Sequence, residues 1–257
     1  MAGIAAGLST CGYVPFMSTF AMFAAGRAFE QIRNSICYPN LNVKIGATHA
    51  GISVGEDGAT HQCLEDIALM RAIPNMVVIS PCDAIETREA VKAALIHKGP
   101  VYLRLCRLPK ENIFENYEKC NFEIGKSNTL KDGNDLTIVA TGVMVYEALE
   151  AHEKLKAEGI NARVIDMHTI KPIDKDALIK AASETGAIVT AEEHNVMGGL
   201  GSAVCEAIAE TNPVPVLRVG VNDKFGTSGS PAELFKLYNL TADDIYKKSK
   251  EILKIKR

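Results

Sequence analysis

The residues best equipped for chemistry are gathered in one stretch, THAGISVGEDGATHQ, running from Thr48 to Gln62. It holds two imidazoles (His49, His61) and two carboxylates (Glu56, Asp57), interspersed with Gly51, Gly55 and Gly58, and with Gly46 just ahead. Histidines move protons near neutral pH, and glycines let a backbone turn sharply and come close to a ligand. Each residue alone has a plain reading, as a solvated turn carboxylate or a histidine satisfied in place. Together, between a strand candidate and a helix candidate, they mark the place where open α/β sheets bind ligands and where pKa values are perturbed.

Commoner motifs do not account for this stretch. GEDG is no phosphate-binding P-loop, because no Gly-Lys-Ser/Thr follows it. GGLGS (Gly198–Ser202) lacks the full GxGxxG and serves as a tight strand-to-helix turn without any cofactor. His49 and His61 are twelve residues apart without a third ligand in register, so no metal site is expected.

The elements that must position these groups alternate along the chain. Strand candidates are VPFMST, Asn42–Thr48, Met76–Ser80 and Val101–Leu105, then Leu136–Thr141, Ala162–Met167, Ala187–Glu192 and Val214–Gly220. Helix candidates lie near Ala24–Ile36, Gln62–Arg71 and Asp83–His97, then Val143–Glu158, Asp174–Glu184, Gly201–Glu210 and Ala242–Ile255. Asp83 reads as an N-cap, with Glu86 completing a capping box. Pro109 to Asp135 is polar and without a strong period, and the domain boundary is placed there. The fold class expected is α/β, as two tandem parallel-sheet domains covered on both faces.

The opening MAGIAAGLSTCGYVPFMSTFAMFAAG has no charge before Arg27. It lacks a basic n-region, and Pro15 interrupts it, so it reads as neither signal peptide nor membrane span. A small-residue helix (Met1 to about Ser9) and a strand (Tyr13–Thr19), both fit for burial, are expected instead. A net charge of −3 argues against nucleic-acid or anionic-membrane partners. The seven scattered cysteines suit small buried residues in a reducing compartment, which points to the cytoplasm.

STFAMFAAGRAFEQIR, HAGISVGEDGATHQ and LRLCR together resemble the pyrimidine-binding domain of transketolases. From about Phe122 onward, including AEEH (Ala191–His194) and FGTSGSPAELF, the chain resembles the transketolase C-terminal domain. The likeness implies domains at 1–120 and 121–257, and is nearest to the separately encoded C-terminal section of split bacterial and archaeal transketolases. It implies thiamine diphosphate chemistry, with a two-carbon ketol unit moved between sugar phosphates. By position, Phe20 and Phe23 match the aromatic slot for the aminopyrimidine ring. Gly26 stands where many relatives carry a third aromatic, leaving the slot more open or closed by another residue. Asp57 matches the reader of a substrate hydroxyl. His61 matches the catalytic histidine near the reactive carbon, which also touches substrate. His49 and Arg107 match the sugar-phosphate end, with Arg104 as the competing arginine.

The resemblance also implies what this chain does not supply. The family's GDG motif with its later Asn, which holds the diphosphate and Mg²⁺, has no counterpart here. An N-terminal subunit is therefore the expected partner, around a homodimer core or in an α2β2 assembly. The family's Glu-x-x-Met aligns its methionine with Met1, so the activating glutamate and part of the first domain fall before the chain as given. Severe loss of cofactor activation is expected without them, with an open sheet edge favouring self-association. Close alternatives are a 1-deoxyxylulose-5-phosphate synthase or a 2-oxo-acid dehydrogenase beta-type subunit, and Phe23 with GEDG favours transketolase over these. A non-catalytic, binding-only subunit or a misfolded, non-catalytic fragment is the alternative of another class.

Overall fold

The computed structural model describes residues 1–115 and 117–256; Asn116, in the expected boundary segment, and Arg257, at the end of the last basic helix run, lie outside the described residues. The chain opens with α1 (Ala2–Thr10) and β1 (Phe16–Phe20), then α2 (Phe29–Gln31) flanked by the wider helical turns Met22–Arg27 and Ile32–Cys37. There follow β2 (Lys44–Thr48), the turn Ile52–Asp57, α3 (Asp66–Ala72), β3 (Val77–Ile79), α4 (Ala84–Ile96), β4 (Val101–Arg104) and α5 (Tyr117–Cys120). The second half runs β5 (Asn128–Lys131), β6 (Leu136–Ala140), α6 (Met144–Ala157), β7 (Ala162–Asp166), β8 (Thr169–Lys171), α7 (Lys175–Thr185) and β9 (Ile188–Asn195). It closes with α8 (Leu200–Ala209), β10 (Val216–Val221), α9 (Pro231–Leu237) and α10 (Ala242–Ile255).

Two five-stranded sheets result, in the orders β1-β2-β4-β3-β8 and β10-β9-β6-β7-β5. Both are mixed rather than purely parallel, since β8 pairs antiparallel with β3 and β5 antiparallel with β7. These two short strands carry no long apolar run, so the sequence pattern does not announce them. β8 belongs by sequence to the second half yet completes the first half's sheet. Lys171 secures it there, donating from Nζ to the carbonyls of Arg71 and Ile73 at 2.8 and 2.5 Å.

The parallel strands form where β-rich, mostly apolar runs permit burial on both faces. β6 (LTIVA) and β7 (ARVID) are buried at every position, Thr137, Arg163 and Asp166 included. The helices start where capping groups satisfy their first amides. Asp83 accepts from the Glu86 N–H at 2.7 Å, as its spacing predicts, and its other oxygen accepts from Ile113 and Phe114 N–H at 2.8 and 3.0 Å. Glu86 departs from a capping box, because its carboxylate reaches past Asp83 to the Cys82 N–H at 2.7 Å. Ser230 and Thr241 do form complete capping boxes, at α9 and α10.

The opening segment folds as helix and strand but is less buried than its apolarity predicts. Ala2, Ala5 and Ala6 face the core, while Ile4 (70%) and Leu8 (44%) are exposed, as are Tyr13 and Phe16. The reason is topological: β1 is an edge strand, and α1 packs its alanine face on β1 and the Ile32–Cys37 turn. All seven cysteines are free; Cys37, Cys63, Cys82 and Cys120 are buried, whereas Cys11 is exposed and Cys106 and Cys205 are intermediate. Among the described residues no helix is long and apolar enough to cross a membrane.

Candidate functional site

Three parallel neighbours, β1, β2 and β4, end side by side. Their registers set Phe20 opposite Thr48 and Ala47 opposite Arg104, so the chain leaves all three strands at one edge of the sheet. This is the carboxyl edge, where α/β sheets place their ligands. Phe20 ends β1, His49 follows β2 directly, and Arg107 lies three residues beyond the end of β4.

The side chains form an ordered aromatic stack. Phe20 lies between His49 (centroids 4.0 Å apart, planes 8° apart) and Phe23 (5.8 Å, 9°). His61 meets this stack edge-on, 5.4 Å from Phe23 and 6.0 Å from Phe20 at 75° and 74°. The Arg27 guanidinium sits 5.0 Å over the Phe23 ring, an attraction worth about 0.5–1 kcal/mol at an exposed position. Gly26, at the place of the expected third aromatic, is covered by the Met22 methyl, which occupies the space its side chain would take.

His49 is held at a positive φ of 56°, and its buried Nδ1 has no hydrogen-bond partner among the described residues. Burial lowers its pKa and the Arg107 charge lowers it further, while Asp57 pulls the other way. His61 Nδ1 lies 2.9 Å from the Thr60 hydroxyl. Arg107 donates to the Val54 carbonyl and lies 3.4 Å from Glu56, in an exposed pair worth little in itself. Phe20, Phe23, His49, His61, Asp57 and Arg107 thus converge on one edge of the sheet. Arg104 takes a different position. It is buried and paired through Nε with both Asp66 oxygens (3.0 and 3.2 Å), and Tyr102 also donates to Asp66, at 2.9 Å. Its charge is spent inside the protein, whereas the Arg107 side chain is open to solvent.

The turn between His49 and His61 is anchored from the second half of the chain. Ile52 and Leu64 are buried in the second domain's core, each contributing roughly 1.5–3 kcal/mol by burial. Gln62 donates to the carbonyls of Ile52, Gly55 and Thr227 (3.2, 3.2 and 2.9 Å), and Ser228 donates to the Glu56 carbonyl at 2.6 Å. Gly55, at φ 81°, packs on Pro231, where a side chain would be both strained and crowded. The Ser53 N–H donates to Glu193 of β9.

β9 carries the polar residues that sequence reasoning leaves without a role. Glu192, Glu193 and His194 are all buried in a strand of apolar neighbours, and that placement is itself the signal. Glu192 accepts from the Leu200 and Gly201 N–H groups at 2.6 and 2.9 Å, so the GGLGS turn is filled by the chain's own carboxylate. Burial lifts Glu192 and Glu193 to about 7 against those hydrogen bonds and the Arg104 charge, and lowers His194 to about 4. Among the described residues one trio has metal-ligand spacing: Cys82, Glu86 and Asp166, all buried, with ligand atoms within 4.8 Å of one another. Burial raises both carboxyls, and their proximity raises Asp166 further.

Family models for the transketolase pyrimidine-binding domain and the transketolase C-terminal domain match residues 1–111 and 125–245. A Methanocaldococcus jannaschii protein provisionally named transketolase C-terminal section is 54% identical over 255 residues, which is 99% of this chain and 80% of that protein. A 6-deoxy-6-sulfo-D-fructose transketolase subunit, SqwH, from Clostridium sp. is 44% identical over 98% of this chain and 78% of its own length. A solved structure titled as a split gene transketolase, an inactive beta4 tetramer, superposes with a TM-score of 0.94 at 56% identity, covering 99% of this chain and 81% of that one. With both domain models matched in order along nearly the whole sequence, the chain belongs to the transketolase family.

Proposed function

We propose that this chain is the C-terminal subunit of a two-chain, thiamine-diphosphate-dependent transketolase, acting with an N-terminal subunit to transfer a two-carbon ketol unit between sugar phosphates. In this reading residues 1–120 form the pyrimidine-binding domain and 121–257 the C-terminal domain. The observation that carries it is the Phe20–Phe23–His49 stack at the sheet's carboxyl edge, with His61, Asp57 and Arg107 around it.

The residues fit the ring end of the cofactor. Near-parallel, half-buried aromatic faces suit a flat heterocycle, and the orphaned His49 Nδ1 is a polar atom that wants a ligand partner. They do not supply its diphosphate and Mg²⁺ end, which the reading assigns to the partner chain. When bound, the cofactor supplies the carbon nucleophile that carries the two-carbon unit. Phe20 and Phe23 hold the ring and exclude water. Asp57 accepts a hydrogen bond from a substrate hydroxyl and so disfavours substrates lacking it. His61, with Thr60 against Nδ1, carries a proton at Nε2 to or from a substrate oxygen. Arg107 offers its fork to the terminal phosphate, and neutral His49 hydrogen-bonds the same group.

No residue of the chain matches the family's activating glutamate. The test mixes this chain, as given and with a Glu-x-x lead ahead of Met1, with an N-terminal transketolase subunit, thiamine diphosphate and Mg²⁺. Transfer from xylulose 5-phosphate to an aldose phosphate is expected from the mixture with the added acid, at a severely reduced rate from the mixture with the chain as given, and from neither chain alone. Mixtures that bind the cofactor but transfer nothing in either form contradict the reading.

A further inference from the structure

The turn that carries Asp57 rests on one carboxylate from the other domain. Glu193 accepts the Ser53 N–H, and the carbonyl of the next residue, Val54, accepts from Arg107. A continuous chain therefore runs Glu193, Ser53, Val54, Arg107, from the interior of the second domain to the cation at the site. Close approach is built in on the other side as well. Gly51, at φ 83°, faces Glu193 so tightly that a Cβ there would lie 2.5 and 2.7 Å from its two oxygens. Glu193 is 1% exposed, and its Oε2 has no partner among the described residues.

We propose that Glu193 is a positioning residue for the site, setting the Ile52–Asp57 turn, and through it Asp57 and Arg107, for a phosphorylated polyhydroxy substrate. This rests on reading that turn as the substrate-binding element. Arg104 cannot take over the task, because its Nε is committed to Asp66 and its Nη2 donates to the backbone oxygen of Glu193 at 2.8 Å. The groups facing Glu193 are Arg104 and Cys106 at the end of β4, Asp66 on α3 and Ser53 on the turn. Burial brings Glu193 to about 7 against the Arg104 charge and the Ser53 hydrogen bond, so its charge changes near neutral pH. The ionised carboxylate is the stronger acceptor, and the turn is held most firmly above that pH.

The test has two readouts. Hydrogen exchange at the Ser53 amide, measured on this chain, is expected to quicken about tenfold or more in Glu193→Ala and in Gly51→Ala, the loss of a buried charge-assisted bond. Glu193→Gln keeps an acceptor oxygen and should restore most of the protection. In the two-chain enzyme, Glu193→Ala should raise the KM for a phosphorylated donor about tenfold with kcat nearly unchanged. Glu193→Gln should recover much of that KM and abolish its dependence on pH around 7. Unchanged Ser53 exchange in all three variants would overturn the proposal. So would a loss of kcat and KM in step with a general loss of folding. A wild-type mixture that transfers nothing counts against the transketolase reading alone, since Ser53 exchange still decides the role of Glu193.

Discussion

Phe23 does two jobs in the stack, one face offset against Phe20 and the ring edge-on to His61. Phe23→Ala removes both contacts and opens the slot beside Met22. Cofactor binding in the presence of the N-terminal subunit should weaken about tenfold, from one aromatic contact of about 0.5–1.5 kcal/mol plus lost buried area. Calorimetric titration with thiamine diphosphate measures it, and equal affinity in the variant would remove Phe23 from the slot. At this scale the grouping of the candidate residues was legible in the sequence: His49, His61, Asp57, Phe20, Phe23 and Arg107 all lie at one sheet edge, and whether they act there is what the predictions test. That Arg104 is tied up inside the protein was not legible, because it depends on Asp66 waiting beside it in space. Glu193 was hidden for the same kind of reason, its partner Ser53 lying 140 residues away along the chain.

At the scale of elements, the junction between the two sheets governs stability. Asp83 caps α4 and also receives two amides from the 113–114 segment. Asp83→Ala strands three donors, and unfolding in urea should show a loss of about 2–4 kcal/mol, beyond the ~1 kcal/mol of an ordinary cap. Behind it, Glu86 of α4 and Asp166 at the end of β7 join the two halves as buried carboxyls whose pKa values are both raised. The folded state therefore holds protons that the unfolded chain has released above the ordinary carboxylate range near 4. This contribution to stability is full at acid pH and declines as pH rises through the raised values. Asp166→Asn should flatten that decline in thermal melts taken from pH 5 to 9, and an unaltered pH profile would deny that this buried carboxyl holds its proton in the folded state. Strand–helix alternation was readable from runs such as LTIVA and ARVID. β8 and β5 escaped because three- and four-residue antiparallel edge strands have no periodicity of their own.

For the whole molecule, the architecture divides labour between the halves. The first domain presents the rings and imidazoles, and the second anchors the turn between them with Thr227, Ser228 and Glu193. That division was only partly visible beforehand, since a tandem pair of α/β units does not say which loops will touch. The central claim is that His49 and Arg107, beside Asp57, form the substrate end of a ketol-transfer site. It is tested most directly by donor discrimination in the reconstituted two-chain enzyme, comparing kcat/KM for xylulose 5-phosphate and unphosphorylated xylulose. The account predicts a strong preference for the phosphorylated donor that Arg107→Ala and His49→Ala each reduce about tenfold or more, the worth of one charge-assisted phosphate contact, with little change toward xylulose. Equal losses toward both donors, or no loss toward either, would contradict it.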